Sequence, residues 1–542
     1  LKTRNKRRNQ RKVSMLNNSE PRADELKVIS NLINSKKFLE AVDYAEKSIK
    51  VFPNSINLLK MLTNANIFLN NFDKAIETYS KLSTIDPLDK NYYKTLGALY
   101  VKKGDLDSAI AAYTEALELN CCDAEIYYNL GNIYYKKRAF DYSIANYRNA
   151  IEINKNYFDA LYNLANTLSE LKNFFSAIDF FKRAYEVNPQ HPGLLSNLGI
   201  AYFETAQFEE AVYMFEIAFK KTHHPAIGEY LGRALLTLGN FCKGWRHYEY
   251  RLKIHNKVPP HINNDDRAVW SGEKGKSLLV LREQGIGDEI LFLGLAPEAQ
   301  KMCSSLTVLI DKRLKTLFER SMPDIRFISD FKNGTQVDYQ YKISAGSLPK
   351  LFRNSEKDFV NTLERYLKAD PKKIRHMLRK FDFSGKKVVG ISWASFDCNN
   401  SSKKTIDLKK MIDVFEGLDV VILNLQYGKV NSEIESIERN NGIKIFNSSY
   451  VNNKNDLEGL AALIEICDLV ITIPNATIHL SGALGKETWG ILPYSPNYWW
   501  LNSGSESLWY PSIKLYRQEK FNDWSSPLSK IKEELRNRFN KD

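Results

Sequence analysis

Two short segments carry side chains suited to proton transfer and to anion binding. In the first, an apolar run ends in Glu283-Gln284-Gly285-Ile286-Gly287-Asp288 and passes into a helical pattern. Carboxylates flanking a glycine turn at the mouth of a cleft can accept a proton from an attacking hydroxyl, so Asp288 is the first candidate base and Glu283 the second. The competing reading is that Asp288 begins the helix, with its charge set against the positive end of the dipole. In the second segment the apolar stretch 467–473 runs through Pro474-Asn475-Ala476-Thr477 into the helical "IHLSGALG". N–H groups at a helix start point at a phosphate, and His479 in the first turn can add a hydrogen bond. Lys403 and Lys404 follow the apolar stretch 386–393, where they reach the same phosphates or stay solvated. Gln426 closes the stretch 419–426, where it meets a base or sugar or merely ends a sheet.

These residues need strands that end together. Apolar runs at 277–281, 306–310 and 326–328, then at 386–393, 419–426, 443–446 and 467–473, alternate with helical stretches such as 371–381. Such alternation predicts parallel sheets covered on both faces. Two lobes of this kind place a cleft between the carboxyl ends of their strands. Gly285-Ile286-Gly287 is a weak dinucleotide signal, because Ile290 stands where the third glycine belongs.

The preceding residues follow another rule. Frames of 34 residues starting at Arg22, Ile56, Lys90, Ala124, Phe158 and Pro192 superimpose without gaps. Each carries a small residue in its second helix (Ala41, Ala75, Ala109, Ser143, Ala177, Ala211), and five of them, from the second frame on, an aromatic four residues later. Gly97, Gly131, Ala165 and Gly199 recur in the first helix. Small and aromatic positions on one face predict stacked helix pairs, closed by a degenerate seventh unit at 226–256 with Trp245, Tyr248 and Tyr250 over its end. Asn129, Asn163 and Asn197 recur one frame apart. Their amides can grip the backbone of an extended peptide or tie one repeat to the next.

Composition sets the outer limits. With 542 residues, 43% hydrophobic and 26% charged, the chain is modular and globular, not disordered or fibrous. The net charge of +13 includes seven cations that precede the first acid, Glu20, which is expected of a solvated basic arm at 1–21. No apolar segment resembles a secretory signal or a bilayer span. Six cysteines without paired spacing predict neither a metal site nor a disulfide framework, and a reducing cytoplasm is expected.

The 34-residue period with these small and aromatic positions resembles tetratricopeptide repeats, and the asparagine series looks like the ladder of protein O-GlcNAc transferases. From Trp270 to Gln518, "QGIGDEILF" followed by "VITIPNATIHLSGALGKETWGILP" resembles the GT-B glycosyltransferases of the heptosyltransferase type. The whole chain is similar to bacterial proteins that fuse the two; "WSGE" at 270–273 and "WYPSIKLYRQ" at 509–518 match their habit. The resemblance implies an all-α superhelix at 22–256, a linker at 257–269, Rossmann-like lobes at 270–370 and 371–518, and a terminal helix at 519–542. It implies a metal-independent, inverting transfer of sugar from a nucleotide-diphosphate donor to a protein, without further cofactor and without specific nucleic-acid binding. By the resemblance Asp288 matches the general base, Lys404 the basic residue of the nucleotide loop, and Ala476, Thr477 and His479 the donor diphosphate loop; from the residues themselves Glu283 is a further catalytic candidate, Gln426, Asn475 and Gly482 are further donor-binding ones, and Asn129, Asn163 and Asn197 are expected to hold the acceptor peptide. Many such relatives have Asp-Thr-Ser before the helix, where this chain has Pro474-Asn475-Ala476. Two phosphate-holding hydroxyls are absent, and Thr477 is the nearest replacement. Trp499, Trp500 and Trp509 wall a sugar site or pack the final segment. The alternative expectation is a non-catalytic scaffold with a degenerate transferase-like domain.

Overall fold

The computed structural model describes residues 20–119, 122–254, 267–331, 337–360, 362–381, 383–396, 404–441, 443–448 and 450–539. Most of the basic arm, residues 258–266 and Lys403 lie outside the described residues. Among those described, fourteen α-helices in seven successive pairs run from Ala23–Asn34 to Phe241–Tyr248. The expected packing is what builds them. All six small residues of the second helices are fully buried. A Cβ placed on Gly131 would lie 2.5 Å from the Tyr147 ring, and on Gly97 2.7 Å from Tyr113. Each glycine admits the aromatic of its own pair. Ser143 replaces alanine at no loss, because its hydroxyl donates to the Gly131 carbonyl at 2.9 Å.

The chain packs as two units, Leu1–Leu194 and Leu195–Asp542. This division differs from the expected boundary at 257–269, and the cause is apolar burial within the second unit. There Leu236, Phe241, Trp245 and Tyr248 of the last helix pair share one hydrophobic core with Trp270, Leu278, Phe292, Trp500 and Tyr510. The Trp245 indole N–H donates to the Arg353 carbonyl at 2.6 Å, the Asn502 amide to Thr237 at 3.0 Å and the Ser495 hydroxyl to Phe203 at 2.7 Å. Trp245 and Tyr248 therefore join the core of the following domain instead of closing a free end.

That domain holds two wholly parallel sheets. β1 (Ala268–Val269), β2 (Ser277–Leu281), β3 (Ser305–Leu309), β4 (Arg326–Ile328) and β5 (Tyr341–Ser344) lie in the order β1-β5-β2-β3-β4. β6 (Lys387–Ser392), β7 (Val420–Asn424), β8 (Ile445–Phe446), β9 (Leu469–Thr472), β10 (Thr488–Leu492) and β11 (Ile513–Arg517) lie in the order β11-β10-β9-β6-β7-β8. In the second sheet the chain steps outward from β6 to β8 and returns beside β6 with β9. In the first it returns beside β2 with β5. Each return is a topological switch point, where diverging loops open a crevice at the carboxyl ends of the strands. The terminal helix Ser525–Phe539 buries Ile531 and Leu535 against the second sheet.

Gly131→Ala should lower the stability of the first unit by about 1–3 kcal/mol through overpacking against Tyr147. Denaturant melts of the variant and the parent check this; equal midpoints would contradict the packing described.

Candidate functional site

The two switch points face each other. β2 turns through Arg282–Gly285 into the helix Ile286–Leu293, and β9 turns through Ile473–Asn475 into the helix Ala476–Ala483. The two helices meet so closely that a Cβ on Gly287 would lie 2.8 Å from Cδ2 of His479. Gly287 is thus required for the helix starts to approach, a packing role and not a dinucleotide one. Between them opens a cleft of about 380 Å³ whose walls include Asp288, Lys404, Asn475, Ala476 and His479. That volume suits a small ligand.

On the first wall, Asp288 is half-buried and accepts a hydrogen bond from the Gly285 N–H at 3.0 Å, so it caps the helix while lining the cleft. The helix-start reading of this residue is what the hydrogen bond shows, and it leaves the carboxyl on the cleft wall. Burial pushes its carboxyl up to about 6; the Gly285 hydrogen bond and the Lys404 charge oppose that rise and Glu283 adds to it. Glu283 has a different place. It is buried, accepts from Arg251 Nη2 at 2.7 Å and Nε at 3.3 Å, and takes the Gly346 N–H at 2.6 Å. With both oxygens committed and no position on the cleft wall, Glu283 is a structural ion-pair partner, which corrects its expected role as second base. Gln284, between them, sits in the left-handed region at φ 64° with its amide donating to the Tyr248 hydroxyl at 2.7 Å.

On the second wall the expected donor-binding residues separate into two groups. Lys404, Ala476 and His479 line the cleft. His479 is buried with Nδ1 3.1 Å from the Tyr510 hydroxyl and its ring stacked on Trp500; burial, then the Lys404 charge, drives its pKa down to about 3, so the imidazole is neutral. Asn475 also lines the cleft, yet its side chain is spent on the fold. Its Oδ1 accepts the Thr477 N–H at 2.9 Å and its Nδ2 donates to Ser392 at 2.8 Å. Gln426 is buried: Oε1 accepts from Ser392, Trp393 and Ala394, and Nε2 donates to the Ala394 and Tyr427 carbonyls. It ties the ends of β6 and β7 and has no donor left for a base. Thr477 is fully buried, its hydroxyl without a partner and off the cleft wall, so it does not replace the missing hydroxyls. Gly482 packs against Tyr510, 2.5 Å from an added Cβ, and thereby seats the residue that holds His479. Trp499 lines the cleft, whereas Trp509 is packed among Trp245, Phe292 and Phe359.

Sequence reasoning missed three contributors from the last helix pair: Glu229, Arg233 and Tyr248. A repeat helix gives no local sign that it borders a distant turn. It also missed Glu289, buried behind the cleft with its carboxyl raised to about 7 by burial and Oε2 taking the Asp311 N–H at 2.8 Å. A second cavity of about 500 Å³ adjoins the cleft through Tyr427. Asn424, Gln426, Asn431, Asn447, Asn452 and Asn453 line it, no charged side chain among the described residues does, and Asn453 Oδ1 is buried without a partner among them. Among the described residues no group of three or more His, Cys, Asp or Glu is placed to hold a metal ion, and no helix is long and apolar enough to cross a membrane.

The asparagine series is divided between the units. In the first, Asn163 Nδ2 donates to Asn132 at 3.0 Å and Tyr128 at 3.3 Å, linking successive pairs. Asn129 and Asn197 are half-buried. The link between repeats is therefore what the Asn163 amide makes.

With this geometry in place, residues 97–220 are shown to carry tetratricopeptide repeats. A family model described as TPR repeat matches 97–137, and models described as Tetratricopeptide repeat match 124–157 and 156–220. The chain is also similar to Protein FlbA of Caulobacter vibrioides, 28% identical over 323 residues, which are 56% of this chain and 53% of that protein. The chain thus spans about half the length of this curated relative. Among solved structures, MamA is 26% identical over 30% of this chain and 96% of its own, with a TM-score of 0.29. YrrB, described as a TPR protein with an unusual peptide-binding site, is 21% identical over 34% and 94%, with a TM-score of 0.30.

The two acids should respond oppositely to amidation. Glu283→Gln leaves Arg251 buried without its anion and should cost about 3–5 kcal/mol in denaturant unfolding. Asp288→Asn removes a carboxyl whose ionisation opposes folding, since its folded pKa lies above the usual 3.8. Its thermal midpoint relative to the parent should rise as pH climbs from 4 through 6, reaching a plateau above; a constant difference would contradict the assigned shift.

Proposed function

We propose that the chain transfers a sugar from a nucleoside-diphosphate donor to a hydroxyl of a polypeptide bound by the tetratricopeptide repeats, through a GT-B arrangement of its two parallel-sheet lobes. The observation that carries this reading is the pairing across one cleft of a carboxyl near pKa 6 with a helix start and a lysine. A base near neutrality matches general-base catalysis, and the opposite wall suits a departing anion.

In the proposed step the acceptor oxygen attacks the anomeric carbon from the Asp288 side. Its proton passes to Asp288, the bond from the anomeric carbon to the phosphate oxygen breaks, and the electron pair leaves with the diphosphate. Displacement in one step inverts the anomeric centre. Lys404 and the backbone at Ala476 receive the growing negative charge. His479, neutral, hydrogen-bonds the ligand through Nε2 while Tyr510 holds Nδ1. The uncharged, amide-lined cavity beyond Tyr427 suits a nucleoside, whose edges need donors and acceptors but no counter-charge. The repeats raise the local concentration of the acceptor.

A second reading, a non-catalytic interaction scaffold, is favoured by the inward commitment of Asn475, Gln426 and Thr477, which leaves the phosphate fewer side-chain ligands than the resemblance implies. A thermal-shift panel of nucleotide sugars on the full chain separates the two. The transferase reading expects at least one donor to raise the melting temperature, and Asp288→Asn to cut turnover about 100-fold or more while donor affinity stays within about twofold. No stabilising donor would favour the scaffold. Joint loss of turnover and binding in Asp288→Asn would make Asp288 structural.

A further inference from the structure

The first helix of the last repeat pair, Pro225–Thr237, lends the cleft a cation that the two lobes do not account for. Arg233 lines the cleft four residues after Glu229. Its guanidinium lies over the rings of Phe203 and Tyr230, 5.3 Å and 5.4 Å from their centroids. That stacking fixes the side chain without using its in-plane N–H groups. Among the described residues no carboxylate or carbonyl oxygen pairs with those N–H groups. Trp499, also on the cleft wall, likewise keeps a buried indole N–H with no partner. Guanidinium and indole are donors only. Two donor-only groups without a partner among the described residues, one on the cleft wall and one buried in a residue that borders it, suit a ligand made of acceptors, and Lys404 lines the same cavity.

We propose that Arg233, with Trp499 and Lys404, binds the diphosphate of the donor, so that the repeat array forms part of the nucleotide-sugar site as well as carrying the acceptor. The inference rests on the transferase reading and adds a ligand from outside both lobes. The same oxyanion chemistry could come from an acidic or phosphorylated residue of the acceptor. The shared cavity favours the diphosphate, because Ala476 and Lys404 line it too.

Calorimetric titration of the full chain with inorganic pyrophosphate, with uridine and adenosine diphosphates and with an acidic peptide tests this. Arg233→Gln should weaken pyrophosphate and the better-bound nucleotide about tenfold or more, as loss of a charge-assisted contact requires. Arg233→Met, which keeps the aliphatic stem on the two rings, should give the same loss with an unchanged melting temperature; Trp499→Phe should lose a few-fold. If Lys404→Gln weakens pyrophosphate and neither Arg233 variant does, the Arg233 assignment is overturned and the diphosphate cleft stands. If the Arg233 variants lose only the acidic peptide, the anion belongs to the acceptor and the proposal fails. If the parent chain binds neither pyrophosphate nor either nucleotide, the transferase reading and this inference fall together.

Discussion

An arginine and a glutamate buried from water hold the cleft in shape. Arg251, in the short 3-10 turn Glu249–Lys253 after the last repeat helix, meets Glu283 at the end of β2, and both are almost wholly enclosed. Burial acts against the Arg251 charge, and its neighbours, Glu283 foremost, together outweigh it and hold the guanidinium well above its ordinary pKa. Such a pair is stable only when its remaining hydrogen bonds are met. Here Gly346, Glu249, Ser347 and the Tyr248 carbonyl meet them. The network joins three segments: the end of the repeats, the β2 turn and the residues after β5. It thereby fixes the path of Gln284 and Gly285, and with it the place where Asp288 begins its helix.

From that constraint the electrostatic division of the cleft follows. Two groups that ordinarily titrate near 4 and 6.5 are driven apart in the opposite order: the Asp288 carboxyl up to about 6 and the His479 imidazole down to about 3. The common cause is desolvation, which disfavours whichever form is charged. Lys404 lowers both, favouring an anionic Asp288 and a neutral His479. At neutral pH the cleft therefore presents the Asp288 carboxylate, an uncharged imidazole and the Lys404 and Arg233 cations, with Glu229 also on its wall.

Much of this was legible in the sequence, for reasons that can be traced residue by residue. The repeat register was readable because small and aromatic positions meet within one helix pair, as Gly131 and Tyr147 do, so the signal is local and recurs every 34 residues. The buried strands β2, β3, β6, β7 and β9 were readable as apolar runs; β5 and β11 were not, because Lys342 and Lys514 interrupt them. Asp288, Lys404 and His479, which line the cleft, were legible as candidates because each follows an apolar run in the sequence. Glu283 was misjudged for that same reason, and Gln426, read either as a base contact or as the end of a sheet, spends its amide on the sheet while bordering the second cavity. A polar residue at a strand end has the same appearance in sequence whether its partner is a ligand or, as with Arg251 and Ala394, a segment far along the chain. Arg233 and Tyr248 carry no local sign of a site role, because they stand on repeat helices whose sequence pattern reports only helix packing.

The central claim is that one ligand bridges the charged cleft and the neutral amide-lined cavity. Photo-crosslinking the full chain with azido derivatives of adenosine and uridine diphosphate, followed by peptide mapping, tests it most directly. The account predicts that the better-bound nucleotide labels the wall from Tyr427 to Asn453, and that excess pyrophosphate suppresses the labelling. Labelling confined to the first unit, or labelling that pyrophosphate leaves unchanged, would contradict it.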